Sequence, residues 1–262
     1  MRIRQAGFTP IKGGRHIEHP FVDLVPGGPV GDRLFCLVDL ARGRVLRTVE
    51  NPSRLACTVR WLDGVLSIEI GGQIIEAVPR PSGRKLALDL WGRPAAVEIV
   101  DGPWTQAYSD YLGFDVAMTR ATRPSELVYG ASVTLVTTSG LRFLEEKAGH
   151  EIDSHRFRTT FVIVIDTDTD TDTDTDGLDA GVEGSWAGRD LRLGSAGIRM
   201  LAGIDRCAVV DAEPASGAFG TRLLQTLASY RLRDGAIDFG MYADVTVPGR
   251  VFHEDPVTVR PA

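Results

Sequence analysis

The residue best placed for chemistry is Cys207, in the run Gly203-Ile204-Asp205-Arg206-Cys207-Ala208-Val209-Val210-Asp211. It stands in a tight turn between two apolar runs, with Pro214 and Gly217 following, so its thiol is held in position. The Arg206 cation beside it favours a thiolate, the form that attacks electrophiles and binds soft metals. Three distant segments accompany it: Pro10-Ile11-Lys12-Gly13, Gly31-Asp32-Arg33 and Arg156-Phe157-Arg158. Lys12 precedes flexible glycines, where an ammonium and backbone N–H groups can hold an anion together. Arg33 opens a strand-like run, and its guanidinium fork suits phosphate or carboxylate. Taken singly, such cations are ordinary surface residues. The histidines (His16, His19, His150, His155, His253) show no metal-binding spacing, although His16 and His19 flank the Lys12 segment.

The elements that must position these residues read as mainly β. Short or alternating apolar runs recur at 34–39, 55–61, 65–70, 86–90 and 95–99, separated by glycine, proline or Asp-Gly pairs. Their spacing, roughly 10 residues within each pair, predicts a barrel or sandwich. Pro103 opens a helix with Trp104, Ala107, Tyr108, Tyr111 and Leu112 at helical spacing and Gly113 as its stop. A strand at 115–119 leads into a polar connector at 120–126, where we expect a domain boundary: residues 1–120 and 121–262. The second half reads as strands at 133–137, 161–165, 191–193, 198–201, 208–210, 239–247 and 256–259, with helices at 139–148 and 221–230. Many strands, about three helices and no βαβ rhythm predict an α+β, mainly β fold.

Composition narrows the function classes. The 262-residue chain carries 29 basic and 35 acidic residues, but six of the aspartates fall in the single run Asp166–Asp176. The remaining body is balanced, which argues against nucleic acid or an anionic membrane as partner. No apolar run is long enough to span a bilayer, and the N-terminus lacks a signal-peptide core. Cys36 and Cys57 sit in apolar strand-like runs as small hydrophobes, and three cysteines suggest neither a zinc site nor a disulfide framework. We therefore expect a reducing, cytoplasmic setting.

The Asp-Thr alternation at 166–176 is low-complexity sequence, expected as a surface loop because a row of aspartates cannot be buried. Its end, Asp172 to Glu183, fits the calcium-loop pattern D-x-D-x-D-G-x5-E. The repeat generates half of that pattern by itself, Asp179 stands where an apolar residue belongs, and the flank reads as strand rather than helix. We therefore do not assign calcium there.

Together, the four charged segments resemble the molybdenum cofactor sulfurase C-terminal (MOSC) domain family, in particular its two-part members similar to the amidoxime-reducing component. Leu224-Gln225-Thr226-Leu227, Phe239-Gly240-Met241-Tyr242 and Asp255-Pro256-Val257 also fit its pattern, so the resemblance spans nearly the whole chain. It implies a β-rich N-terminal domain packed on a β-barrel MOSC domain. It also implies that Lys12, Gly13, Arg33, Arg158, Thr160, Asp205 and Arg206 bind the molybdopterin of molybdenum cofactor, with Cys207 as catalytic residue and metal ligand. A pterin phosphate would need converging cations, and a dithiolene-bound molybdenum would need a soft anionic ligand. The sequence departs from the family pattern at five places: Gly13 replaces a frequent serine or cysteine, Thr159 a proline, Thr160 an asparagine, Asp205 a serine, and Tyr129 an aspartate.

The function so implied is reduction of N-oxygenated small molecules. Electrons would come from a separate redox protein, since the chain has no ferredoxin-like cysteine cluster. Two alternatives stay open: an enzyme on the same scaffold that has lost the cofactor and acts on another anionic small molecule, and a non-catalytic cofactor or sulfur carrier. The sequence is silent on oligomeric state.

Overall fold

The computed structural model describes residues 1–165 and 182–260. The Asp-Thr run lies outside the described residues, as does all of the calcium-loop pattern except Val182 and Glu183. The chain is an α+β, mainly β fold, with three α-helices among the described residues: α1 (Trp104–Leu112), α2 (Thr138–Ala148) and α3 (Leu223–Arg231). Among the described residues no helix is long and apolar enough to cross a membrane.

In the first half, the strands Arg80–Leu90 and Arg93–Asp101 form a long hairpin that continues through Ala117–Ala121 and Phe35–Asp39 to Arg44–Val45. The ring closes where Asp89 pairs with Arg44. A three-stranded meander, Thr58–Leu62, Val65–Ile70 and Gln73–Ala77, lies beside it. Alternation along these strands puts Val59, Leu66 and Ile68 on one face, where they pack with Phe35, Leu37 and Trp104. Trp104, with no exposed surface, satisfies its indole N–H on the carbonyls of Leu66 and Ile75, and so locks α1 to the meander.

The second half is built on a nine-stranded sheet that also takes in the N-terminal strand Arg2–Phe8, which pairs with Phe161–Val164. At the other edge Val257–Val259 comes round to the same strand. Arg2 bridges Pro256, Ile3 N–H donates to the Asp255 carbonyl at 2.9 Å, and Val257 N–H donates to the Met1 carbonyl at 2.9 Å. The sheet therefore curls until its ends meet around Ile3, Leu135, Phe161, Ile163, Ile198 and Met241. The two-residue period sends Phe161 and Ile163 inward, while Val162 faces out with Val136 against α2 and α3. Thr137 caps α2: its Oγ1 accepts from Gly140 N–H and donates to the buried Glu183 carboxylate at 2.8 Å. Glu183, the last residue of the calcium-loop pattern, is thus committed to a helix cap.

Two local expectations change. Residues 208–210 are not a strand but the 3-10 turn Ala208–Asp211, because Val210 N–H bonds back to the Cys207 carbonyl at 3.2 Å. The run expected at 55–61 divides into the 3-10 turn Pro52–Ala56 and the strand Thr58–Leu62, as a proline at the turn's start favours.

Candidate functional site

The segments carrying Lys12 and Arg33 are zipped side by side. Lys12 N–H donates to the Phe35 carbonyl at 2.8 Å, Phe35 N–H to the Pro10 carbonyl at 2.9 Å, and Arg33 N–H to the Thr9 carbonyl at 2.8 Å. A third cation, absent from the sequence reading, supports them from below. Arg54 is 1% exposed and donates to the Lys12 carbonyl at 3.2 Å and the Leu46 carbonyl at 3.0 Å. Gly13 lies directly on it: φ is +82°, and a Cβ there would fall 2.7 Å from an Arg54 nitrogen. Only glycine fits that approach.

Lys12 is only 7% exposed. Its Nζ donates to the Leu127 carbonyl at 2.6 Å and lies 4.5 Å from the centre of the Trp91 ring. Burial, then the neighbouring Arg33 charge, pushes its pKa down to about 7. Arg33 adopts a left-handed backbone (φ 47°) and binds the buried Asp32 carboxylate at 2.7 Å. Burial raises the Asp32 pKa, and Arg33 is the main force opposing that rise. Arg158, also left-handed (φ 53°), closes the 3-10 turn Ser154–Phe157 and donates to the Gly14 carbonyl at 2.6 Å. Burial first, and Arg33 second, lower its pKa to about 10, while Asp32 and Cys207 act in the other direction. Arg158 thus lies within electrostatic reach of Lys12 and Arg33 on one side and of Cys207 on the other.

Arg206 braces the thiol. Its Nε donates to the Phe239 carbonyl at 2.7 Å and its Nη1 to the Phe157 carbonyl at 2.9 Å, with the guanidinium 5.3 Å from the Phe157 ring. Gly240, at φ +76°, gives it room: a Cβ there would lie 3.1 Å from Nη2 and 2.5 Å from the Leu135 carbonyl. The Nη2 atom is buried and has no hydrogen-bond partner among the described residues. Cys207 itself is exposed, whereas Cys36 and Cys57 are fully buried with thiols pushed up to about 11 by burial.

Two of the sequence-predicted positions are engaged in holding the sheet. Thr160 and Thr134 bond reciprocally: Thr160 N–H donates to Thr134 Oγ1 at 3.0 Å, and Thr134 N–H donates to Thr160 Oγ1 at 3.2 Å. Asp205 accepts from Ile237 N–H at 2.9 Å and faces solvent. Tyr129 is 58% exposed and packs against Trp91, with ring centres 5.3 Å apart. Trp91 stands at φ 52° in the two-residue turn of the long hairpin, a strained place for a bulky residue. His16 is buried with both ring nitrogens unpartnered among the described residues; burial, then Arg158, holds its pKa down to about 3, so it is neutral. Nothing in the local sequence pattern singled out Arg54 or Trp91, because their roles rest on contacts with Gly13, Lys12 and Tyr129.

This arrangement can hold an anion on several cations and present one exposed thiol beside it. Among the described residues no three His, Cys, Asp or Glu side chains cluster to hold a metal. Comparison with known proteins adds the following. A family profile described as MOSC domain matches residues 125–258, slightly more than half of the chain. Among solved structures, the YuaD protein from Bacillus subtilis is similar at a TM-score of 0.42 and 11% identity, covering 98% of this chain and 93% of its own. YiiM from Geobacillus stearothermophilus is similar at a TM-score of 0.32 and 14% identity, covering 50% of this chain and 54% of its own. No curated protein matches the sequence.

Proposed function

This chain belongs to the MOSC domain family, and from that premise we propose that it binds molybdenum cofactor and reduces N-oxygenated small molecules with electrons from a separate redox protein. The observation that carries this reading is the pairing of an exposed Cys207 with the buried, unpartnered Nη2 of Arg206, beside a cluster of cations drawn from separate segments. A buried guanidinium nitrogen without an acceptor is costly, and an anionic ligand would supply the acceptor. The residues fit the group on these terms. Lys12, Arg33 and Arg158 would hold its phosphate, and the Cys207 sulfur would be the protein ligand to molybdenum. When bound, the cofactor supplies two-electron redox chemistry at its metal.

The chain's own residues do the positioning. Arg206 ties the carbonyls of Phe157 and Phe239 together and so fixes the backbone on which Cys207 stands. Arg54 holds the Lys12–Gly14 turn in place through its hydrogen bond to the Lys12 carbonyl and its packing under Gly13. Lys12, with its pKa near 7, takes up a proton when a phosphate dianion arrives, because the opposite charge favours the ammonium. Asp32 offsets part of the repulsion between Arg33 and its neighbouring cations.

The test is elemental mass spectrometry of the purified protein, with the pterin extracted as its fluorescent oxidation product, from a host that makes the cofactor. Near-stoichiometric molybdenum with pterin is expected, and Cys207→Ala should lose the metal. Absence of both from a host that loads a control protein would overturn the proposal.

A further inference from the structure

A cavity that Arg33 helps to line lies between the first-half ring and the loop that carries Gly27–Leu34. Its volume is about 510 Å³, within the range of small-molecule sites, and Cys207 is not among its lining residues. We propose that this cavity binds a small monocarboxylate with an apolar body. The inference goes beyond the cofactor reading, since the two sites share only the Asp32–Arg33 pair.

The charges lining it decide the sign of the ligand. Lys85 pairs in register with Glu98, and Glu98 with Arg120, so the three side chains form one row across adjacent strands. Arg33 is neutralised by Asp32 at 2.7 Å, and Arg123 by Glu126 at 2.9 Å. What remains is two cations against Glu98, one of whose oxygens already accepts from Gly83 N–H at 3.0 Å. The cavity therefore carries one surplus positive charge.

Arg120 is the prepared anchor. Its guanidinium lies 5.4 Å from the Trp61 ring centre and 6.0 Å from that of Phe35, which holds its plane. Among the described residues its guanidinium has no hydrogen-bond acceptor, and neither has the Lys85 ammonium. A planar carboxylate matches the open edge of such a fork. The rest of the wall is largely apolar, with Leu34, Val100 and Val128 beside Val25 and Val30, and it suits a hydrocarbon body rather than a second charged group.

The proposal is tested by isothermal titration calorimetry of the full chain with octanoate, octylamine and octanol. Octanoate should bind at one site per chain, with octylamine and octanol weaker by roughly tenfold or more, the scale of one charge-assisted hydrogen bond. Arg120→Gln should weaken octanoate by about tenfold, and Lys85→Gln, at an exposed position, by about two- to fivefold. Val30→Trp, which fills the mouth, should also weaken it, while Arg158→Gln should leave it unchanged. Circular dichroism checks that each variant is folded, and Lys85→Gln and Val30→Trp carry the test if Arg120→Gln is not. Equal binding of octanoate and octylamine, no saturable binding, or loss on Arg158→Gln in place of the cavity variants would overturn it.

Discussion

Replacing Lys12 by methionine should reveal the cost of keeping a buried cation at this position. The ammonium is 7% exposed, and burial, aided by Arg33 and Arg158, brings its pKa from 10.5 to about 7. Below pH 7 both folded and unfolded chains carry the proton, and the whole penalty of the buried charge is present. Between pH 7 and 10.5 the folded chain has released a proton that the unfolded chain still holds. The unfolded state then binds more protons, so this residue's contribution makes stability rise with pH. A pKa displaced this far corresponds to a penalty of roughly 5 kcal/mol below pH 7, of which about 2 kcal/mol persists at pH 9. Lys12→Met fills similar space without the charge. The stability of the variant relative to the parent should therefore fall by roughly 2–3 kcal/mol between pH 6 and pH 9, read from urea unfolding at each pH. Comparing the same pair at two pH values cancels the constant cost of leaving the Leu127 carbonyl without its 2.6 Å donor. A relative stability that holds within about 0.5 kcal/mol across this range, or rises with pH, would refute the argument that burial dominates Lys12.

Three further outcomes follow from the same geometry. Gly13→Ser should cost about 3 kcal/mol in urea unfolding, since it adds left-handed strain and drives a Cβ into the Arg54 guanidinium; a loss below about 1 kcal/mol would mean that Arg54 moves freely. Iodoacetamide at pH 8 should label one thiol, Cys207, in the folded protein and three after denaturation; rapid labelling of Cys36 or Cys57 would contradict their burial. Thr160→Ala should cost about 1–3 kcal/mol by breaking its exchange with Thr134, yet leave the affinity for inorganic phosphate within about twofold; a larger fall in phosphate affinity would place Thr160 in the anion site after all.

How much of this was legible in the chain follows from the range of each interaction. α1 could be read because Pro103 and Gly113 bracket a helical apolar spacing, and Gly113 does end it in a left-handed cap. Val65–Ile70 and Val133–Thr137 could be read because β-branched runs between turns signal strands. Residues 208–210 were misleading, since an apolar run says nothing about a carbonyl three residues back that can capture its N–H. The four charged segments were visible as types and motifs. Their burial was not: Lys12 reads like any surface lysine until Leu127, 115 residues away, supplies its acceptor.

The sequence by itself determined the strand and helix periods, the odd number of cysteines, and the types and spacing of the basic residues, because these depend on side-chain type and nearest neighbours. Only the tertiary structure decided that Arg2–Phe8 belongs in the sheet of the second half, that Arg54 supports Gly13, and that Arg206 keeps a buried nitrogen free beside Cys207. Those outcomes depend on which distant carbonyls and rings meet each donor once the sheets have closed, and no local propensity encodes that meeting.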